Sequence, residues 1–186
     1  NIKQPKIIPE PERVTYKSVQ EDEDQIFDGV EIIDARFRAE DLRRLISYGS
    51  VIRDSNLSDN EFDGADLTDT LFINCDFSNT DFSKASMHRV EFINCKMTGV
   101  NFDESVMKHI KFHESLLNFS GFHESKLENV SFEDTRFVTA DFFNVKFKNI
   151  EFEKCDLSES RFIDTSLAGV DISTSHFESL SIKRED

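Results

Sequence analysis

From Ile52 to Ile182 every fifth residue is large and apolar, 27 positions in succession. The series opens Ile52, Leu57, Phe62, Leu67, Phe72, Phe77, Phe82 and does not slip before Ile182. Of the 19 phenylalanines, 17 share this phase, Phe27 and Phe37 among them. A period of five suits neither regular element. On an α-helix such residues advance about 140° per step and scatter around the cylinder. On a flat strand an odd spacing throws successive side chains onto opposite faces. The whole series can be buried only if the chain bends after each five-residue segment, so that every central side chain points at one axis.

The residue two before each centre is small nearly throughout, as at Ser55, Ala65, Thr70, Cys75, Thr80 and Ala85. Asn60, Ile110, Ile150 and Leu180 are the bulkier exceptions. A second inward position beside a packed ring has room for a small group only. The other three positions of each five are mostly polar, which suits an outer surface. A longer beat overlies the first. Phe62, Phe82, Phe102, Phe122, Phe142 and Phe162 recur at spacing twenty, as do Phe72, Phe92, Phe112, Phe132 and Phe152, with Leu and Met mainly at the centres between. Facing walls therefore share a residue type. Four five-residue sides per coil satisfy this alternation, and two or six would also.

Segments such as Ala65-Asp66-Leu67-Thr68-Asp69, Cys75-Asp76-Phe77-Ser78-Asn79 and Cys155-Asp156-Leu157-Ser158-Glu159 resemble the pentapeptide-repeat family, whose consensus is Ala, Asp or Asn, Leu or Phe, then two variable residues. The resemblance implies an all-β fold, a right-handed quadrilateral parallel β-helix with four repeats per coil. Residues 1–26 read as an extended polar N-terminal segment. Residues 27–49 read as first, irregular repeats; Ala39 to Ile46 look helix-like before the polar centre Ser47, as a short cap or insertion would. Residues 50–182 form the continuous β-helix, nearly seven coils spanning roughly 33 Å at strand spacing. Residues 183–186 read as the start of a C-terminal segment.

No catalytic, cofactor-binding or metal-binding constellation stands out, and an enzyme is not expected. The chain shows no twenty-residue apolar run and no signal-like segment, so no membrane span is expected. The five histidines fall at outward positions and are expected to be solvated; His113 and His123, half a coil apart, should lie on opposite walls. Cys75, Cys95 and Cys155 occupy the small inward position. Cys75 and Cys95 would stack in adjacent coils, but the odd total and the intact apolar ladder favour buried thiols of a cytoplasmic protein.

The surface charge is uneven. The chain carries a formal charge of −15. Outward residues were assigned to four walls by their repeat centre, named here after the series Phe72 (first), Leu57 (second), Phe62 (third) and Leu67 (fourth). The first three walls are acidic. The third carries Glu61, Asp63, Asp81, Asp103, Glu104, Glu124, Asp141 and Asp164 against Lys84 and Arg161. The fourth is slightly basic, with Arg89, Lys108, Lys126, Lys146 and Lys148. Such a rod is a poor direct ligand for nucleic acid, whose phosphates need a basic footprint. It can instead occupy a basic DNA groove.

Within the family the chain is similar to the Qnr-like group, the Gram-positive members above all, in its uninterrupted repeats, Phe-rich walls and acidity. Segments such as Met87-His88-Arg89-Val90-Glu91-Phe92 carry that likeness. The resemblance implies a DNA-mimicking binder of type II topoisomerase (DNA gyrase or topoisomerase IV) that inhibits or modulates the enzyme and confers quinolone resistance. It also implies a homodimer joined end to end through a C-terminal helix, which would begin just beyond residue 186. The projecting loops of Gram-negative Qnr proteins have no place in the unbroken register. The acidic third wall is the expected partner surface, with Phe119 and Phe143 as apolar contacts. The alternative is a repeat scaffold that binds another protein.

Overall fold

The structure, a computed structural model, describes residues 1–20, 26–37 and 42–184. Glu12–Val14 form strand β1 and Tyr16–Gln20 a short helix, α1. The coils follow with β2 (Ile26–Asp28), β3 (Val30–Ile33), β4 (Ile46–Tyr48) and β5 (Val51–Arg53). Four eight-residue strands come next: β6 (Asp66–Ile73), β7 (Ser86–Ile93), β8 (Val106–His113) and β9 (Lys126–Glu133). The last are β10 (Asp141–Phe143), β11 (Lys146–Glu153), β12 (Arg161–Ile163) and β13 (Ser181–Lys183).

Pairing between strands is parallel, and from β2 onward its register is twenty residues. Leu67 lies opposite Met87, Met87 opposite Met107, and Phe72 opposite Phe92. One coil is therefore four repeats; the periods of two or six sides are excluded. Each eight-residue strand carries two centres, one on the fourth wall and the next on the first. The second wall pairs through single bridges such as Asn56 with Asp76; the third does so from Glu61 to Asp141 and then through the ladder β10–β12–β13.

The centres fill the axis. Phe62, Phe82, Phe102, Phe122, Phe142 and Phe162 are all buried, as are Phe72, Phe92, Phe112, Phe132 and Phe152. Rings of one wall stack at strand spacing: Phe82 to Phe102 is 5.5 Å, Phe102 to Phe122 5.2 Å, and Phe92 to Phe112 4.9 Å. Rings of opposite walls meet edge to face, as Phe102 and Phe112 do at 6.1 Å. Both arrangements suit the aromatic quadrupole.

The small inward position does more than save space. Ser160 Oγ donates to the Phe137 carbonyl at 2.6 Å and accepts from the Ala140 amide at 3.2 Å. Thr165 Oγ1 does the same with the Phe142 carbonyl and the Val145 amide. These hydroxyls occupy corners where backbone groups turn away from the strand ladders and would otherwise be buried unpaired. Cys75, Cys95 and Cys155 are buried free thiols in the same role, Cys155 Sγ lying 3.3 Å from the Phe132 carbonyl. Burial pushes the Cys155 thiol up to about 11.

The helix-like reading before Ser47 is corrected in part. Residues 39–41 lie outside the described residues. Over 42–48 the chain is a turn followed by β4, which pairs with β2 and β6. Leu42 falls in the period-five phase, and it is buried like any other centre. At the next side the sizes are exchanged: Leu45 fills the inward position that Ser47 leaves open, and Ser47 Oγ lies 2.9 Å from Thr70 Oγ1.

The N-terminal segment is not a free polar lead-in. β1 pairs with β3, and Glu31, nearly buried, is held by Arg13 at 2.8 Å and Arg53 at 2.9 Å. Before β1 the chain lies along the fourth wall. Ile8 packs over Gly29 and Gly49, both at positive φ, and a methyl group added at Gly29 would come within 2.9 Å of Ile8 Cδ1.

Candidate partner-binding surface

The last residue of most repeats has φ near +55°, the left-handed conformation that Asn, Asp and Gly tolerate best. That turn brings the chain round each corner and leaves three outward positions per side. On the third wall these positions carry all eight predicted acids, and none of them is buried. Glu61, Glu104 and Glu124 are exposed; Asp63, Asp81, Asp103, Asp141 and Asp164 are half-buried.

Several of the eight are tied into the wall. Asp81 Oδ1 accepts from the Ser83 amide at 2.8 Å, and Asp103 Oδ1 from the His123 amide at 2.9 Å. Asp141 pairs with Arg161, and His123 stands between Asp103 (3.7 Å) and Asp141 (3.3 Å). Lys84 and Arg43 sit 3.8 and 3.5 Å from Glu104 and Glu61. The wall is thus a field of carboxylates with a few inset cations. Exposed pairs of this kind add little stability, so their value lies in the field they project.

Phe143 is half-buried, its ring 5.9 Å from that of His123, whereas Phe119 is 62% exposed. The two predicted apolar contacts are therefore unlike, and only Phe119 stands out from the surface.

His113 and His123 lie on opposite walls. On the first wall His113, Glu133 and Asp134 offer ligand atoms within 4.8 Å of one another, a cluster the sequence reading missed. Glu133 already accepts the Lys111 ammonium at 2.8 Å, which holds its carboxyl below the usual range. Opposite Lys111 in the preceding coil, burial raises the carboxyl of Glu91.

The fourth wall departs most from expectation. Arg89 is not a free surface cation: Nε and Nη2 both reach Asp69 at 2.6 Å, and this pairing depresses the Asp69 carboxyl. The N-terminal strap crosses the same ground. The Lys6 amide donates to Asp69 Oδ1 at 2.9 Å, and the Lys3 amide to His109 Nδ1 at 3.3 Å. His109, expected to be solvated, is 7% exposed. No short-range sequence signal could show this, since the pair is 106 residues apart.

Burial, and then the charge of Lys3, push the His109 imidazole below its ordinary value. To accept from Lys3, Nδ1 must be unprotonated. Because the folded value is lowered, the contact is fully present above the ordinary histidine value of about 6.5 and is lost as pH falls through the folded one. Amide exchange at residues 3–8, relative to the intrinsic rate, is expected to be faster at pH 5 than at pH 7.5 while the coils stay protected. Equal protection at both would show that His109 does not hold the strap.

A four-sided parallel β-solenoid with an acidic flank is the class of protein that fold and surface define. The sequence model for pentapeptide repeat regions matches residues 65–142, and that for pentapeptide repeats in eight copies matches 140–178. The chain belongs to the pentapeptide-repeat family. Among solved structures, trypsin-treated QnrB1, a plasmid-mediated fluoroquinolone resistance protein, is 19% identical, with 84% of this chain and 82% of that chain covered and a TM-score of 0.38. HetL, a pentapeptide-repeat protein involved in heterocyst differentiation regulation in Nostoc sp. strain PCC 7120, is 14% identical over 86% of each chain, with a TM-score of 0.35. A pentapeptide-repeat protein of the Arabidopsis thaliana thylakoid lumen is 18% identical, covering 63% of this chain and 70% of its own, with a TM-score of 0.26. Among curated proteins none matches. Among the described residues no helix is long and apolar enough to cross a membrane.

Proposed function

We propose that this protein is a non-catalytic DNA mimic that binds a type II topoisomerase, DNA gyrase or topoisomerase IV, and lowers quinolone action on it. The observation that carries this reading is the acidic third wall: eight carboxylates, none buried, along a narrow rod, with the acidic second wall adjoining it on one side. A protein groove built for DNA is lined with cations and attracts such a surface over a Debye length of about 8 Å at physiological salt. The rod core, packed with phenylalanine, leaves the function to the surface, as solenoids commonly do.

In this reading the protein is cytoplasmic, in keeping with three buried free thiols, and acts as a homodimer joined end to end. Phe177 and Ile182, 46% and 59% exposed, would lie near that joint. Sedimentation across a concentration range is expected to give a dimer for the full-length protein; a monomer at micromolar concentration contradicts it. Gyrase supercoiling assays with and without a quinolone test the reading as a whole. Inhibition that strengthens as salt is lowered, together with reduced drug-induced cleavage, is expected. No effect on either reaction would leave the scaffold for another protein as the better account.

A further inference from the structure

The left-handed corner positions hold Asn, Asp, Gly, Lys, Glu and a few others, and Phe119 is the one large apolar residue there among the described residues, at φ 58°. A side chain with a Cβ gives up roughly 1 kcal/mol in this conformation, and bulky residues are rare in it. Phe119 recovers nothing from the core, since its ring is 62% exposed. The fold thus tolerates a strained, exposed phenylalanine where asparagine would serve better. Strain without structural return is concentrated at functional positions.

Its surroundings are specific. The Phe119 amide donates to the Val138 carbonyl at 3.0 Å, and Leu116, 38% exposed, lies on the same side of the coil. Directly after the corner, Gly121 puts no side chain on the third wall, and the Asp103 carboxylate leans over it. Asp141 pairs with Gly121 from the next coil. Phe119, next to Val138 of the following coil, therefore stands at the corner where the second wall meets the acidic third wall, with carboxylates along one side.

We propose that Phe119, next to Val138, is the apolar anchor of the partner-binding surface and inserts into an apolar socket bordered by cations. This rests on the topoisomerase reading, and charge complementarity with the acids beside Phe119 selects the occupant: a basic DNA-binding face of that enzyme. The two parts of the surface then have separate roles. Carboxylates speed encounter through their long-range field, while the buried ring slows dissociation.

The test is Phe119→Asn, with Phe119→Gly as a second variant, since both residues accept the left-handed backbone. Binding kinetics to immobilised gyrase are measured at several salt concentrations beside thermal unfolding. Both variants are expected to melt no lower than wild type. Both are expected to dissociate about tenfold faster or more, with association rate and salt dependence within about twofold of wild type. Dissociation unchanged in both variants would overturn the anchor while leaving the topoisomerase reading intact. Absence of wild-type binding would overturn that reading and the anchor's stated partner with it.

Discussion

Alanine at Phe102 or Phe122 is expected to destabilise the rod by about 3–5 kcal/mol. Each ring is fully buried, stacked at about strand spacing on its equivalents one coil away, and met edge-on by the opposite wall. The lost volume cannot be refilled by local collapse, because parallel pairing in a twenty-residue register fixes the distance between coils. Lys126→Ala, an exposed change on β9 in the same region, is expected to stay within about 0.5 kcal/mol. Urea unfolding of the three variants checks this. Small and equal losses at all three would mean the inward ring positions do not carry the core.

The second large effect is expected on binding. Reversal of Glu61, Glu104 and Glu124 to Lys should slow association with gyrase by on the order of tenfold or more at low salt and flatten its salt dependence. The structure guides this choice. Asp81 and Asp103 also accept backbone amides and Asp141 is half-buried against Arg161 and His123, so their reversal would mix local damage with the loss of charge, whereas Glu61 and Glu104 make only exposed pairs at 3.5 and 3.8 Å with Arg43 and Lys84. The three glutamates are exposed, and Lys84 shows that lysine accepts the positive φ found at positions 104 and 124. Lys126→Glu with Lys146→Glu, on the fourth wall, is expected to change the rate by no more than about twofold. Equal effects from both sets would leave the uneven charge without a role.

Much of this was legible in the chain because period five admits one solution. Seventeen phenylalanines in one phase must converge on an axis, and all are buried there except Phe147, partly buried, and Phe177 in the last coil, 46% exposed. The number of sides was not fixed by that period; backbone register settled it. The small inward residues were predictable by size, but their hydroxyls as corner partners were not, since the carbonyls they meet lie 23 residues back and carry no side-chain signature. Leu42 and Leu45 fit both a helical and a five-residue spacing, and continued pairing with the neighbouring coil decided for the latter. The strap over His109 was invisible for a similar reason: its contacts use backbone amides of Lys3 and Lys6, and every residue but proline has one. Wall charge, by contrast, followed from counting alone once the sides were assigned.

The most direct test of DNA mimicry is competition. Gyrase carrying a fixed amount of this protein is titrated with linear duplex DNA at constant ionic strength. If the acidic wall occupies the DNA groove, DNA displaces the protein, and its apparent affinity falls in proportion to DNA occupancy. A ternary complex with undiminished affinity for the protein would contradict the account.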